Sequence, residues 1–307
     1  MQDKYNGLIA VWKESGYTSH DVVAKLRGIL HQKKIGHTGT LDPQATGVLA
    51  VGLGLGTKTF ELLFDHWKTY EAEITFGVET DTEDIWGNIL QTEEFSRTKE
   101  QITEAINSFV GTYNQVPPMY SAKKVDGKKL YQLAREGKVV ERKAVPITIR
   151  SINVLSVSDN KARFEVTCSA GTYIRTLCVD IGKKLGSKAC MSSLTRTMAG
   201  GFSKNLALTL DEIRILAENG RLEENLITIE QALSHFPKAV AAQTHEKQLK
   251  NGNAIELSAI VSIEQDIEKT DKQIRLYLEN GEFIGIYRSD QQKKLIRPIK
   301  IFYRTEA

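Results

Sequence analysis

Little in this sequence suits a metal or redox centre. Its 307 residues include three cysteines, Cys168, Cys178 and Cys190, and no pair has CxxC spacing. A disulfide scaffold is therefore excluded, and the low, odd count fits a reducing cytoplasm. The histidines are His20, His31, His37, His66, His235 and His245. None forms an HExxH pair, and no Cys/His cluster suggests zinc. A GxSxG nucleophile elbow is absent, which removes the common serine-hydrolase signature. The uncharged run from Pro43 to Thr57 is too short and too glycine-rich to span a bilayer. The first residues lack the apolar run of a signal peptide, so a cytoplasmic location is expected. Repeats and low-complexity stretches are missing. Net charge is small at +3, so a nucleic-acid partner has to be argued from how charge is distributed.

What is present is the composition of an ordinary globular protein, 41% hydrophobic and 26% charged, long enough for about two domains. One stretch organises the rest: Gly36-His37-Thr38-Gly39-Thr40-Leu41-Asp42-Pro43-Gln44-Ala45-Thr46-Gly47. It carries a single carboxylate among small uncharged residues. Glycines permit close backbone approach, and Pro43 stiffens the chain just after Asp42. The stretch reads as a loop that fixes one carboxylate.

Around it the periodicities alternate. Gly7–Lys13 reads as a buried strand. Thr18 or Ser19 caps a helix predicted to run to about Lys34, with Gly36 ending it. Gly47–Leu53 reads as a strand leaving the loop. Gly52 to Lys58 imitates a phosphate loop, but Thr57 separates the last glycine from the lysine, so nucleotide binding is not expected. Tyr70–Val78 alternates as a half-buried strand with Tyr70 at its mouth. Eight acids between Glu79 and Ala105 face only Arg97 and Lys99, which reads as a solvated loop followed by a helix capped by Thr98 and Gln101. Ile147–Val157 and Ala162–Cys168 read as paired strands. Helical spacing begins after Gly171, which places Tyr173 and Arg175 at a strand-to-helix transition. Thr209–Glu212 is a capping box. A composition change near Phe236-Pro237 predicts a boundary, with a small, mostly β unit beyond it. That unit has a hairpin turn at Asn280-Gly281 and a basic end of Lys293, Lys294, Arg297, Lys300 and Arg304.

The charge reverses in the middle of the chain. Residues 117–150 hold nine bases against Asp126, Glu136 and Glu141, a net of +6, with Tyr120 and Tyr131 among them. Basic residues interleaved with aromatics suit a phosphate backbone with unstacked bases. Together with one framed carboxylate, one arginine and two tyrosines, this points to nucleophilic or acid–base work on a nucleic acid without a metal. Arg175 is a candidate ion-pair partner for Asp42.

The motifs then resemble one family, the TruB family of tRNA pseudouridine synthases. The resemblance runs from the Asp42 stretch through Lys58, Tyr70, Thr80-Asp81-Thr82-x-Asp84-x-x-Gly87, Val116-Pro117-Pro118-Met119-Tyr120-Ser121-Ala122, Gly127-Lys128-Lys129-Leu130-Tyr131 and Gly171-Thr172-Tyr173-Ile174-Arg175. It covers nearly all of residues 5–235 in order. It departs at Glu14, where the family usually has Pro after the first-strand lysine; an altered local turn, away from the catalytic groups, is expected. The resemblance implies an α+β pseudouridine synthase fold with a mixed, largely antiparallel central sheet in residues 1–236. It also implies a small PUA-like RNA-binding domain in 237–307. It implies uridine-to-pseudouridine isomerisation at position 55 in the T loop of tRNA, by a monomer needing no guide RNA, cofactor or metal. Asp42 would be the nucleophile, Tyr70 would stack on the flipped uracil, Tyr173 would lie against the base, and Arg175 would pair with Asp42. His37 would fill the gap the base leaves, Leu194 would line the pocket, and Lys58, Lys123, Lys128 and Lys129 would contact RNA. Rival readings are a tRNA-binding chaperone, a guide-RNA-dependent synthase and a nucleobase glycosylase.

Overall fold

A computed structural model describes residues 3–63, 67–125, 127–264, 272–290 and 292–303. His66, Asp126 and Arg304 lie outside the described residues. The chain opens with strand β1 (Gly7–Lys13) and helix α1 (Ser19–Leu30). Thr18 caps α1: its hydroxyl accepts the Asp21 N–H at 3.1 Å while Asp21 accepts the Thr18 N–H at 2.8 Å. The helix stops at Leu30, short of the predicted Lys34. His31 adopts a left-handed conformation (φ 50°), and its N–H bonds back to Arg27 and Gly28. Gln32 then pins the chain by bonding both backbone groups of Tyr5. Gly36 therefore does not end a helix. It lies in strand β2 (Ile35–Thr38), antiparallel to β3 (Thr46–Leu53).

Strand β4 (Lys68–Phe76) is followed by the hairpin of β5 (Val78–Thr80) and β6 (Ile89–Thr92). Helix α2 (Lys99–Asn107) has its Thr98–Gln101 capping box, and β7 (Gly111–Gln115) follows. The basic segment builds a short hairpin, β8 (Lys124–Val125) with β9 (Lys128–Lys129), and helix α3 (Leu130–Arg135). Then come β10 (Val145–Ser158), β11 (Lys161–Cys168), α4 (Ile174–Lys184), β12 (Ala189–Ala199), β13 (Phe202–Ser203) and α5 (Leu210–Glu218).

Apart from the β5–β6 and β8–β9 hairpins, these strands form one nine-stranded sheet in the order β1-β3-β12-β4-β11-β10-β7, with β2 also on β3 and β13 on β12. Only β3 and β12 run parallel, pairing Thr46 with Thr195 and Gly47 with Arg196. The sheet is thus mixed and largely antiparallel, as expected. On one side Ile74, Phe76, Phe164 and Val166 pack with Ile102 and Ile106 of α2 and Leu177 and Ile181 of α4. A second cluster joins Ile9 and Val51 to Val22 and Leu26 of α1 and Ile213 of α5. Each such side chain contributes roughly 1.5–3 kcal/mol by leaving water. Between them the clusters hold the β2–β3 connection against the middle of the sheet.

After a short helix α6 (Ile229–Ala232), a second sheet begins at β14 (Lys238–Ala241). Helix α7 (Glu246–Lys250), β15 (Ile255–Glu256), β16 (Ile260–Ile263), β17 (Gln273–Leu278), β18 (Phe283–Asp290) and β19 (Leu295–Ile301) complete it. The order is β15-β19-β18-β17-β14-β16, with Gly281 at φ 85° turning β17 into β18. The overall class is therefore α+β with a mostly β C-terminal unit. The two sheets meet through Leu62, Leu233, Ile286 and Phe302. Lys58 lies at that junction and donates to the Ile301 carbonyl at 2.9 Å. Among the described residues no helix is long and apolar enough to cross a membrane.

Candidate active site

The segment from Gly39 to Ala45 links β2 to β3 and is fixed from below. Leu41 and Ala45 are buried anchors. The Leu41 N–H donates to the buried Ser19 hydroxyl at 2.9 Å, and the Ala45 N–H closes a turn onto the Asp42 carbonyl at 3.1 Å. The Pro43 carbonyl accepts from the Gly16 N–H and from the Lys13 ammonium, both at 2.9 Å. Lys13 has no exposure and also donates to the Glu14 carbonyl at 3.0 Å. Burial lowers its pKa to about 8, against the opposing charge of Asp42. The turn at Glu14 is thus tied to the Asp42 segment through the Pro43 carbonyl.

Asp42 is held by a fork. Arg175 Nε lies 3.0 Å from Oδ2, and Nη2 donates to Oδ1 at 3.2 Å. The same guanidinium donates to the Thr82 carbonyl at 2.9 Å and the Tyr120 carbonyl at 2.8 Å, and its Nη1 lies 3.7 Å from Asp84 Oδ2. Arg175 is 5% exposed, whereas the Asp42 side chain remains 38% exposed. One carboxylate is therefore clamped at its back and open at its front.

The stretch expected to be a solvated acidic loop is in part a wall of this site. The Ile85 N–H donates to the Met191 carbonyl at 2.8 Å and the Met191 N–H to the Glu83 carbonyl at 3.0 Å, docking the β5–β6 turn on β12. Gly87 permits the closure, because a Cβ there would stand 2.1 Å from the Thr82 hydroxyl. Glu83 is half-buried, its pKa raised by desolvation against the opposing Thr176 hydroxyl, which donates to it at 2.5 Å. Burial likewise raises Asp84, against the Thr82 hydroxyl bond and the Arg175 charge. The Thr80-to-Gly87 spacing carried the signal; the charge count pointed away from it.

Tyr70 is the third residue of β4 and 6% exposed, so it sits within the core cluster and not at a strand mouth. Its cluster includes Leu41, Ala45 and Leu194, the last on β12 opposite Ala72. Burial raises the Tyr70 phenol, and the Arg196 charge opposes the shift. Tyr173 is half-buried at the start of α4. The Gln115 side chain grips its peptide at both groups, accepting the Tyr173 N–H at 2.9 Å and donating to its carbonyl at 3.0 Å. Sequence reasoning missed Gln115, Ser19 and Lys13, whose roles depend on strands distant in the chain.

His37 is half-buried in β2, edge-on to His20 with centroids 6.0 Å apart. Its Nδ1 has no hydrogen-bond partner among the described residues. Burial first, then the charges of His20 and Arg196, lower its pKa, so the ring is neutral at neutral pH. Lys123 is half-buried, Lys128 is exposed, and Lys129 lies over the Tyr131 ring at 5.6 Å, all in or beside the β8–β9 hairpin. Lys58, expected at the RNA, donates to the C-terminal sheet at the Ile301 carbonyl. Among the described residues no group of His, Cys, Asp and Glu is arranged to hold a metal.

Comparison with known proteins agrees along the whole chain. The profile of "TruB family pseudouridylate synthase (N terminal domain)" matches residues 27–174, and that of "tRNA pseudouridylate synthase B C-terminal domain" matches residues 175–234. The tRNA pseudouridine synthase B of Alkaliphilus oremlandii is 43% identical over 304 residues, covering 98% of this chain and 100% of that protein. The Bacillus subtilis protein of that name is 43% identical over 96% of this chain and 97% of its own. Among solved structures, one titled "Structure of H/ACA RNP bound to a substrate RNA containing 2'-deoxyuridine" superposes with a TM-score of 0.71 at 24% identity, covering 98% of this chain and 86% of that one. At that identity the likeness is one of fold. With two family profiles in tandem and relatives matched end to end, this chain belongs to the TruB family of pseudouridylate synthases.

Proposed function

We propose that the protein isomerises uridine to pseudouridine at position 55 in the T loop of tRNA, acting alone. The observation that carries this reading is the Arg175 fork, which holds a half-open Asp42 carboxylate next to Leu41, whose cluster includes Tyr70 and Leu194. Asp42 attacks the target nucleotide as nucleophile. The glycosidic bond breaks, the uracil turns, C5 bonds to the sugar, the bond made by Asp42 breaks again and frees its carboxylate, and the C5 proton leaves while N1 gains one. Reactants and product have the same composition, so the chemistry consumes no oxidant or co-substrate. Tyr70 stacks on the extruded base, and Tyr173 lies against it. Flipping a base costs a few kcal/mol, and aromatic stacking returns about 1–3 kcal/mol, so Tyr70 offsets much of that cost.

The neutral His37 ring suits insertion into the RNA, because a neutral ring is cheaper to strip of water than a charged one. Lys123, Lys128 and Lys129 on the basic hairpin hold the phosphate backbone. The C-terminal unit, residues 237–307, adds a PUA-like RNA contact, and the enzyme works as a cytoplasmic monomer. The test is tritium release from tRNA carrying tritium at uridine C5, with protein alone. Release without free uracil supports the reading. No release until a guide RNA is added would point to a guide-dependent enzyme, and free uracil would point to a glycosylase. Binding and refolding with no release would point to a chaperone.

A further inference from the structure

Arg196 is the largest fully buried side chain among the described residues. Its Nε donates to the Val48 carbonyl at 2.8 Å and its Nη2 to the Gly39 carbonyl at 3.0 Å. Among the described residues no carboxylate pairs with it, and its buried Nη1 has no hydrogen-bond partner. A second cation stands beside it. Lys68, the first residue of β4, is half-buried and forms no ion pair among the described residues. Burial lowers its pKa, and the Arg196 charge lowers it further.

The two cations converge on one spot. A Cβ placed on Gly39 would lie 2.7 Å from Lys68 Nζ and 3.4 Å from Arg196 Nη1. Gly39 has φ +75°, a backbone that demands glycine, and its lack of a Cβ leaves room for the Lys68 ammonium beside Arg196. A buried guanidinium with no counter-charge is expensive, and the cost falls sharply once an anion pairs with it. The missing negative charge has an obvious source. Gly39 stands three residues before Asp42, and Arg196 pairs in register with Tyr70 across β12 and β4. Trp67, next to Lys68, stacks with Arg150 at 5.5 Å, a cation–aromatic surface of the sort RNA uses.

We propose that Lys68, over the backbone of Gly39 and backed by the buried charge of Arg196, seats one phosphodiester of the substrate RNA beside the reacting uridine. Lys68 makes the phosphate contact and the buried Arg196 adds its charge from beneath, and that contact fixes the register of the nucleotide that Asp42 attacks. The proposal rests on the RNA-uridine reading above.

The experiment is a linkage scan. Short T-arm hairpin RNAs carry a neutral methylphosphonate at each linkage near the target uridine in turn, and their affinity is measured for wild type and Lys68→Gln. In wild type one linkage should be sensitive, losing about tenfold in affinity, as for a hydrogen bond to a charged group. Lys68→Gln should bind the natural hairpin about tenfold more weakly, with a salt slope reduced by about one. At the sensitive linkage the methylphosphonate should then add less than twofold. Equal sensitivity at every linkage in wild type would overturn the proposal without any variant. So would a Lys68→Gln protein that keeps the natural affinity, or one that keeps the full methylphosphonate penalty. Because the scan reads binding, a wild-type protein that bound the hairpin but failed to convert it would remove the catalytic reading and leave the phosphate seat to be judged on its own.

Discussion

Asp42 and Arg175, 133 residues apart in the chain, meet side-on, with Nε and Nη2 of the arginine each facing one carboxylate oxygen. That choice of edge leaves Nη1 for the Thr82 carbonyl and Asp84. A single buried guanidinium therefore positions the Asp42 carboxylate and ties together three segments: the Asp42 loop, the β5–β6 turn, and Tyr120 after the paired prolines. The fork fixes the carboxylate plane, which a one-point contact does not.

Asp42→Asn should abolish tritium release and leave tRNA affinity within about twofold, since the amide keeps the shape of the carboxylate and loses its nucleophilicity. Arg175→Lys retains a charge but offers one donor point in place of the fork. It should lower the single-turnover rate about 100-fold, the usual cost of misplacing a reacting group by an ångström. The unpaired Thr82 and Tyr120 carbonyls should also lower its melting temperature. A rate for Arg175→Lys within threefold of wild type would show that charge alone is enough.

Gln115 should matter as much to order as to stability. Its amide replaces a strand partner for the Tyr173 peptide and also donates to the Tyr113 hydroxyl at 2.8 Å. Gln115→Leu keeps volume and strands the Tyr173 N–H and carbonyl, each worth about 1–3 kcal/mol when buried without a partner. The variant should melt at lower temperature and turn over more slowly, with tRNA affinity little changed. Differential scanning calorimetry and single-turnover tritium release measure the two effects separately.

The sheet was largely legible because its strands carry period-two alternation, as in Phe164, Val166 and Cys168, and its helices carry capping boxes at Thr18, Thr98 and Thr209. The central strand β12 was not. Its sequence, ACMSSLTRTMA, places a charged residue at a wholly buried position, and only β3 and β4 on either side explain why. The Asp42–Arg175 pair was visible as two residues of opposite charge in suggestive settings. Lys13, Ser19 and Gln115 were not visible, because each acts through a hydrogen bond to backbone far away in sequence. Charge counting misjudged Glu83 and Asp84, since net charge averages over residues that face opposite ways.

Lys13 should give the protein an unusual pH signature. Its folded pKa, about 8, lies below the unfolded value near 10.5, because burial disfavours the ammonium. Between those values the unfolded chain binds more protons than the folded one, so this group's contribution to stability rises with pH. Below pH 8 the buried charge costs its full amount; above 10.5 the cost is gone. Melting temperatures of wild type and Lys13→Met, measured from pH 7 to 10.5, should therefore diverge in favour of wild type as pH rises above 8. Parallel curves would show that the Lys13 ammonium is not disfavoured in the folded state.

Gly47→Ala should be among the most damaging small substitutions in the protein. Gly47 sits where the Asp42 segment enters β3, at φ +118°, and a Cβ there would stand 2.2 Å from the Arg196 carbonyl and 2.6 Å from its nitrogen. Those are backbone atoms of β12, paired with Gly47 in the one parallel strand pair of the sheet among the described residues, so neither partner can swing aside. Relief requires parting β3 from β12, which breaks the Arg196 bond to Val48 and displaces the segment that carries Asp42. The expected result is insoluble protein, or a melting temperature lowered by more than about 10 °C, several kcal/mol in a chain of this size. Gly28→Ala is the matched control. Gly28 lies exposed within α1, with helical backbone and nothing within 4 Å of its Cβ position. Alanine there should stabilise by about 0.5–1 kcal/mol and raise the melting temperature by a few degrees. If both variants behaved alike, the close approach of β3 to β12 at Gly47 would not be what selects glycine.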